Sequence, residues 1–541
     1  MGNSHSSNKL TTRNTFKLTG DEQEDMISDS KIFNEEIHKM ERAMKPKSLT
    51  YPSQIIDGQK ISQSFFDAKD LCLLQAVGLT QSGKTGVMFS CIQEFVNSKI
   101  LEPIPTENIY VITGLSSNEW KEQTMERFPS SIRENIFHRN DLKKRLIDSI
   151  SGKQNVLIII DEVQIACGAN QTISSIMKEA NLLNIQYLLA NDIKIIEFSA
   201  TPNGTFYDLD KWGKYSTIMK ISQGENYTSC FDLLDSGRVK QSKPLDTSEA
   251  INDMVDVIKS YSSFRYHFIR IKKGNEGNET ISKIRQEYGD EFEYDNYDMT
   301  NSFTIDPVSG EENEGDINSN LLNSPPTKHT LIFIKEKARC AKTFTKKYIG
   351  IWYERYAQNF ADDVVTQGLL GRATGYDDNG VSIIFTNVES IQKYRELWEG
   401  NFDSTIEWTS NSTKKKEGVT QSKNTFNGEV SIDGEVATPE STPVKIVGIT
   451  KFLGSWDVVK DDLGRFLIDK ELAKRCPNKR KTNEDGFYHG TIRRTKGILS
   501  TDFVNKNKGC GLNKNFVKRI HPCYTDVNDS TTIEWWVTYH E

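Results

Sequence analysis

Apolar residues come in short consecutive runs separated by stretches with helical spacing. The first such runs cover residues 71–77, 109–112, 156–160 and 193–198. Apolar at successive rather than alternate positions, they read as strands buried on both faces. Such strands, separated by helices, build a parallel sheet with helices on either side. They predict an α/β domain over residues 48–225. A second set, at 266–271, 331–334, 348–353 and 382–386, predicts another parallel-sheet domain over residues 226–400. Residues 1–47 read as a polar tail in which only Ile32, Phe33, Ile37 and Met40 have helical spacing. Residues 401–443, rich in Ser, Thr, Lys, Asn and Gly, read as a flexible linker. A smaller C-terminal module over 444–541 ends in the strand-like segment 531–539.

Length agrees with several domains, because 541 residues exceed what one core usually organises. The composition, 36% hydrophobic and 26% charged, excludes disordered and fibrous classes. No apolar run approaches the roughly 20 residues that span a bilayer, so no transmembrane segment is expected. The N-terminus lacks the apolar core of a secretory signal, so an intracellular protein is expected. Met1-Gly2-Asn3-Ser4-His5-Ser6 fits the pattern for myristoylation at Gly2, with a plain disordered tail as the alternative. One acyl chain would be a weak membrane tether. Eight cysteines without a CxxC pair suit a reducing compartment. Cys510, His521 and Cys523 lack a fourth ligand at a usual zinc spacing, so metal is assigned only to a nucleotide.

The net charge of -7 is unevenly spread. Residues 287–317 are acidic without one Lys or Arg and read as an exposed insertion within the second domain. Residues 470–519 are strongly basic and form a candidate surface for a phosphate backbone. Phe487, Tyr488, Trp535 and Trp536 in the same module are candidates for base stacking, or for its core.

The most specific chemistry lies after the first run. Gly78-Leu79-Thr80-Gln81-Ser82-Gly83-Lys84-Thr85 has the G-x-x-x-x-G-K-T spacing between a strand and a helix. Glycines allow the backbone to curl, and the amides of Gly78, Thr80, Gln81, Ser82 and Gly83 together with the helix N-terminus attract phosphate. Lys84 would reach the terminal phosphates of ATP, and the Thr85 hydroxyl would coordinate Mg2+. Residues 156–160 then end in Asp161-Glu162-Val163-Gln164. Asp161 would hold Mg2+, and Glu162 would orient or deprotonate the attacking water.

The order of GLTQSGKT, DEVQ, Phe198-Ser199-Ala200-Thr201-Pro202 and Gln367-Gly368-Leu369-Leu370-Gly371-Arg372 resembles that of superfamily two helicases, over about residues 51–387. Residues 334–342 and Gly371-Arg372-Ala373-Thr374-Gly375-Tyr376 look most like helicase-like proteins of phages and large DNA viruses. The resemblance implies two tandem RecA-like domains, with DEVQ as the DEAD/DEAH-type box. It also implies that Gln164 links the hydrolysis site to the second domain, and that Ser199 and Thr201 couple hydrolysis to strand movement. By the same resemblance Arg372 reaches across the cleft to stabilise transition-state charge. The family often carries a second arginine three residues after the first, where this chain has Gly375. The function expected is an ATP-dependent helicase or translocase acting on DNA or RNA. The alternative is an ATP-regulated nucleic-acid or protein clamp that separates no strands.

Overall fold

The computed structural model describes residues 20–43, 50–297, 317–335, 343–432, 447–470, 498–499, 518–526 and 529–540. The chain divides into two units, up to Val436 and from Ala437. Gly2, most of the acidic and basic blocks, Phe487, Tyr488 and Cys510 lie outside the described residues. No helix among the described residues is long and apolar enough to cross a membrane.

The first unit holds two six-stranded parallel sheets, the tandem α/β arrangement expected for RecA-like domains. Sheet one comprises β1 (Leu73–Val77), β2 (Ile109–Thr113), β3 (Ile136–Phe137), β4 (Val156–Asp161), β5 (Ile193–Ser199) and β6 (Ser216–Lys220), in the spatial order β3-β2-β4-β5-β1-β6. β1, β2 and β5 are buried along their whole length, and β4 as far as Ile160, in keeping with their largely apolar runs. The register sets Val77 beside Ser199, and Asp161 beside Phe198. The phosphate loop, the two carboxylates and the Ser-Ala-Thr segment therefore leave the same end of the sheet.

Sheet two comprises β7 (Val239–Gln241), β8 (Tyr266–Arg270), β9 (Glu293–Tyr297), β10 (Thr330–Ile334), β11 (Ile349–Tyr353) and β12 (Ile383–Thr386), in the order β7-β12-β11-β8-β10-β9. The acidic block is thus not insertion throughout. Its Glu293–Tyr297 part forms the edge strand beside β10, where a half-buried position tolerates polar side chains.

Two further expectations need correction. In the tail, a helix over Gly20–Ala43 buries Phe33 and Ile37 in the core of the first domain. Asp29 accepts hydrogen bonds from the Thr106 amide at 2.8 Å and hydroxyl at 2.7 Å. The supposed flexible linker packs on both domains within its described part, 401–432. Phe402 and Trp408 lie in the core of the second domain. The chain then returns to the first domain as the hairpin of β13 (Thr413–Lys416) and β14 (Val419–Ser422) and a single 3-10 turn, Phe426–Glu429. Phe426 is fully buried in the first domain. Asp208 accepts from the Ser422 hydroxyl at 2.6 Å and from the Thr425 amide at 2.8 Å. The segment is polar because many of its polar groups meet polar groups inside the protein.

Glu197 illustrates this. It sits wholly buried in β5 without a cation. It accepts from Gln75 Nε2 at 2.7 Å and from Asn427 Nδ2 at 3.0 and 3.1 Å. Burial pushes its carboxyl up from 4.5 to about 7, against the lowering effect of those two amides.

The second unit is a small sheet with order β15-β18-β17-β16, formed by β15 (Val447–Leu453), β16 (Ile498–Leu499), β17 (Lys518–Tyr524) and β18 (Ile533–His540). The helix Trp456–Asp469 lays Val459, Leu463 and Leu467 on Trp535, Val537 and Tyr539. Trp535 is therefore a core residue of this unit. Its indole N–H donates to the Gly454 carbonyl at 3.2 Å.

Two predictions follow from the returning segment. Phe426→Ala is expected to destabilise the first domain by about 3–5 kcal/mol, measured by urea unfolding. The folded Glu197 holds a proton that the unfolded chain releases above 4.5, so its contribution to stability falls as pH rises from 4.5 through about 7. Glu197→Gln is expected to remove that slope and raise the melting temperature at pH 8 relative to pH 5. Asn427 Oδ1, which has no hydrogen-bond partner, is available to accept from the new amide.

Candidate functional site

The loop begins where β1 runs out. Gln81 and Gly83 take positive φ, 55° and 93°, and turn the chain directly into the helix Lys84–Val96. That helix has no side-chain N-cap, so no side chain occupies its first amides, the arrangement by which a helix N-terminus can attract an anion. Gly83 is required twice over, since a Cβ there would also stand 2.1 Å from Gln54 Nε2. Gln54 belongs to the helix Pro52–Asp67, and its Oε1 accepts from the Tyr51 amide at 3.0 Å. Lys84 Nζ lies over the loop, 3.5 Å from the Gly78 carbonyl and 3.3 Å from that of Leu79. The Ser82 hydroxyl is buried there.

Asp161 ends β4 two strands away. Its Oδ2 accepts from the Trp120 indole at 2.8 Å and its Oδ1 from the Glu162 amide at 3.0 Å. Burial, and then the charge of Glu162, push its carboxyl up to about 6, opposed by the Trp120 hydrogen bond and the charge of Lys84. Glu162 itself has φ of 52°, a strained position for a residue with a side chain.

From Glu162 a chain of hydrogen bonds leaves the strand end. Gln164 Nε2 donates to Glu162 Oε2 at 2.5 Å, and Ser199 Oγ donates to Gln164 Oε1 at 2.5 Å. The Thr201 amide donates to Ser199 Oγ at 3.0 Å. Gln367, from the second domain, donates to Thr201 Oγ1 at 2.9 Å and approaches Glu162 Oε2 at 3.4 Å. Glu162, Gln164, Ser199, Thr201 and Gln367 thus form one network across both sheets.

The outer side of the phosphate loop is held by the second domain. Thr374 Oγ1 donates to the Thr80 carbonyl at 2.9 Å and lies 3.0 Å from Thr80 Oγ1. The Tyr376 hydroxyl donates to the Ser82 carbonyl at 2.9 Å, and the Tyr227 hydroxyl donates to that of Thr80 at 2.5 Å. Gln81 reaches the Arg372 carbonyl at 3.4 Å. Arg372 is buried in the short helix Leu369–Ala373, and its Nη2 donates to the Gln367 carbonyl at 3.3 Å.

Gly375 explains the departure from the two-arginine pattern. Its φ is 120°, and a Cβ there would stand 3.1 Å from both Gln81 Oε1 and Lys346 Nζ. A cation is nevertheless present. Lys346, buried before β11, pairs with Asp377 and lies 3.3 Å from Gln81 Oε1. Sequence reasoning missed Lys346, Trp120, Gln54, Thr374 and Tyr376. The first three carry no motif and are brought in by the fold, whereas the last two stand beside the Gly-Arg pair.

Thr85 and Asp161 supply hydroxyl and carboxylate oxygens, hard donors that fit Mg2+. No group of three or more His, Cys, Asp or Glu among the described residues forms a metal cluster. A nucleotide-bound Mg2+ needs none, because phosphate and water complete its shell.

No family model matches the chain. The uncharacterized protein L594 of Acanthamoeba polyphaga mimivirus is 27% identical over 363 residues, spanning 64% of this chain and 87% of that protein. Among solved structures, DEAD-box helicase Mss116 bound to ssRNA and UDP-BeF aligns with a TM-score of 0.42 at 15% identity, over 73% of this chain and 80% of that one. Mss116p with its NTE and C-tail deleted, bound to ssRNA and AMP-PNP, aligns with a TM-score of 0.41 at 16% identity, over 72% and 79%.

The hydroxyl contacts to the loop are separable from its fold. Thr374→Val with Tyr376→Phe removes the hydrogen bonds donated to the Thr80 and Ser82 carbonyls, each worth about 1 kcal/mol. Faster amide exchange is expected at residues 79–83, with β1 still protected. Unchanged exchange in the loop would show that the second domain does not restrain it.

Proposed function

We propose that this chain is an ATP hydrolase of the helicase or translocase type, working between its two parallel-sheet domains on a nucleic acid. The observation that carries the reading is the network from Glu162 through Gln164, Ser199 and Thr201 to Gln367. It gives a carboxylate at the phosphate loop a direct mechanical link to the second sheet, which a simple phosphate-binding protein does not need.

In this reading the amides of Gly78 and Thr80 to Gly83 cradle the phosphates, and Lys84 leaves its carbonyl contacts to meet the terminal ones. Thr85 and Asp161 would hold Mg2+, which supplies charge neutralisation at the phosphates. Glu162, fixed from both sides by Gln164 and Gln367, orients the attacking water and accepts its proton. Arg372, whose backbone already meets Gln81, would face the charge developing on the transferred phosphoryl group. Loss of that group alters the hydrogen bonds of Glu162, and Ser199 and Thr201 pass the change to the second domain. The mimivirus relative supports kinship with proteins of large DNA viruses. Nucleic acid, DNA or RNA, is the partner; the basic block at 470–519 supports that assignment.

The returning segment favours a second reading. Because 401–432 packs on both domains, their separation is bounded, as in an ATP-regulated clamp that holds a nucleic acid or protein without separating strands.

Hydrolysis of ATP by the purified chain, alone and with single-stranded DNA, duplex DNA or RNA, distinguishes the two. A motor is expected to show a severalfold rise with one polymer. Lys84→Ala and Glu162→Gln are each expected to lower the rate by at least about 100-fold. Hydrolysis indifferent to every polymer would favour the clamp, and hydrolysis persisting in both variants would place the reaction elsewhere.

A further inference from the structure

The helix Asn118–Arg127 follows β2 and turns one face toward the phosphate site. Trp120 and Arg127 are seven residues apart, two helical turns, and so share that face. Trp120 is almost fully buried, and its indole N–H, which can only donate, takes Asp161 Oδ2 at 2.8 Å. Its turn of helix is itself fixed. Ser117 caps the helix by accepting from the Trp120 amide at 3.2 Å, and the Thr124 hydroxyl donates to the Trp120 carbonyl at 2.7 Å. At the other end Arg127 Nη1 approaches Thr85 Oγ1 at 3.4 Å, and its guanidinium also feels the charge of Asp161.

One helix therefore touches both oxygen donors assigned to the metal, through groups of opposite effect. The neutral indole takes one carboxylate oxygen and sets the plane of the group. The guanidinium uses a lone pair of the Thr85 hydroxyl and brings positive charge to the place where a divalent ion would sit. Orienting partners of this kind set ligand geometry and metal affinity. A fixed cation at such a place repels the ion.

We propose that Trp120 is a positioning residue that holds Asp161 for metal binding, and that Arg127 opposes the metal, so that the helix Asn118–Arg127 sets the affinity of the site for a divalent cation. This rests on the reading of Thr85 and Asp161 as metal ligands. The two residues act in opposite directions, which a merely structural role for the helix would not produce. Displacing Arg127 from Thr85 would also pass the arrival of a metal-bound nucleotide to the end of this helix.

The test is Mn2+ binding to the full chain at saturating ADP, followed by electron paramagnetic resonance of the free ion, with ADP affinity in EDTA measured beside it. Trp120→Phe keeps an aromatic ring and loses the donor. It is expected to weaken Mn2+ by about 10- to 100-fold with ADP affinity in EDTA unchanged. Arg127→Met, at an exposed helix end, is expected to tighten Mn2+ severalfold. If both variants weaken Mn2+ together, or neither changes it while Asp161→Asn abolishes it, the helix is a scaffold and the proposal falls alone. If Asp161→Asn leaves Mn2+ binding intact, the ligand assignment falls and takes the proposal with it.

Discussion

Glu162 cannot be aimed by its own strand. Its backbone lies in the left-handed region just past the end of β4, and its carboxylate is held by one glutamine from each domain, Gln164 and Gln367. The strained backbone turns the side chain out of the sheet, and the two amides settle where it points. Everything around it serves that shared hold. β4 and β5 lie side by side so that Gln164 meets Ser199, and the second sheet is placed so that Gln367 meets Thr201. The phosphate loop is held from outside by hydroxyls of the same second domain. The site belongs to the pair of domains, and neither sheet carries it alone.

What could be read in the sequence was local. The central strands are largely apolar because helices cover both faces, so β1, β4, β5, β8, β10 and β11 were visible as runs. The edge strands β6, β7 and β9 were not, since each is paired on one side only and keeps Lys, Gln or Glu at half-exposed positions. The loop after β1 and the Asp-Glu pair after β4 were legible because each lies within a few residues of a strand end. Trp120, Gln54 and Lys346 are ordinary residues until tertiary structure sets them against Asp161, Gly83 and Gln81. Gly375 was visible only as a break in a pattern, and its reason, a positive φ against the loop, needed the structure.

The linker was misread for an instructive reason. Serine, threonine and asparagine mark a mobile segment when their partners are water. Here the partners are Asp208 and Glu197, two carboxyl groups of the first domain that are themselves buried. Composition records how polar a segment is and says nothing of what satisfies it. The apolar clues were Phe402 and Trp408, which the core of the second domain takes in, and Phe426, which enters that of the first.

The chain crosses between the two sheets twice, once from β6 to β7 and again from Phe402 to Ser412. A rigid body pinned at one point is free to turn about any axis through it. Pinned at two, it turns only about the line that joins them. Two crossings restrain the sheets against each other more than one would, and the contacts of Thr374, Tyr376 and Gln367 span the cleft between them. Severing either crossing would leave those residues present and the two sheets freer to part.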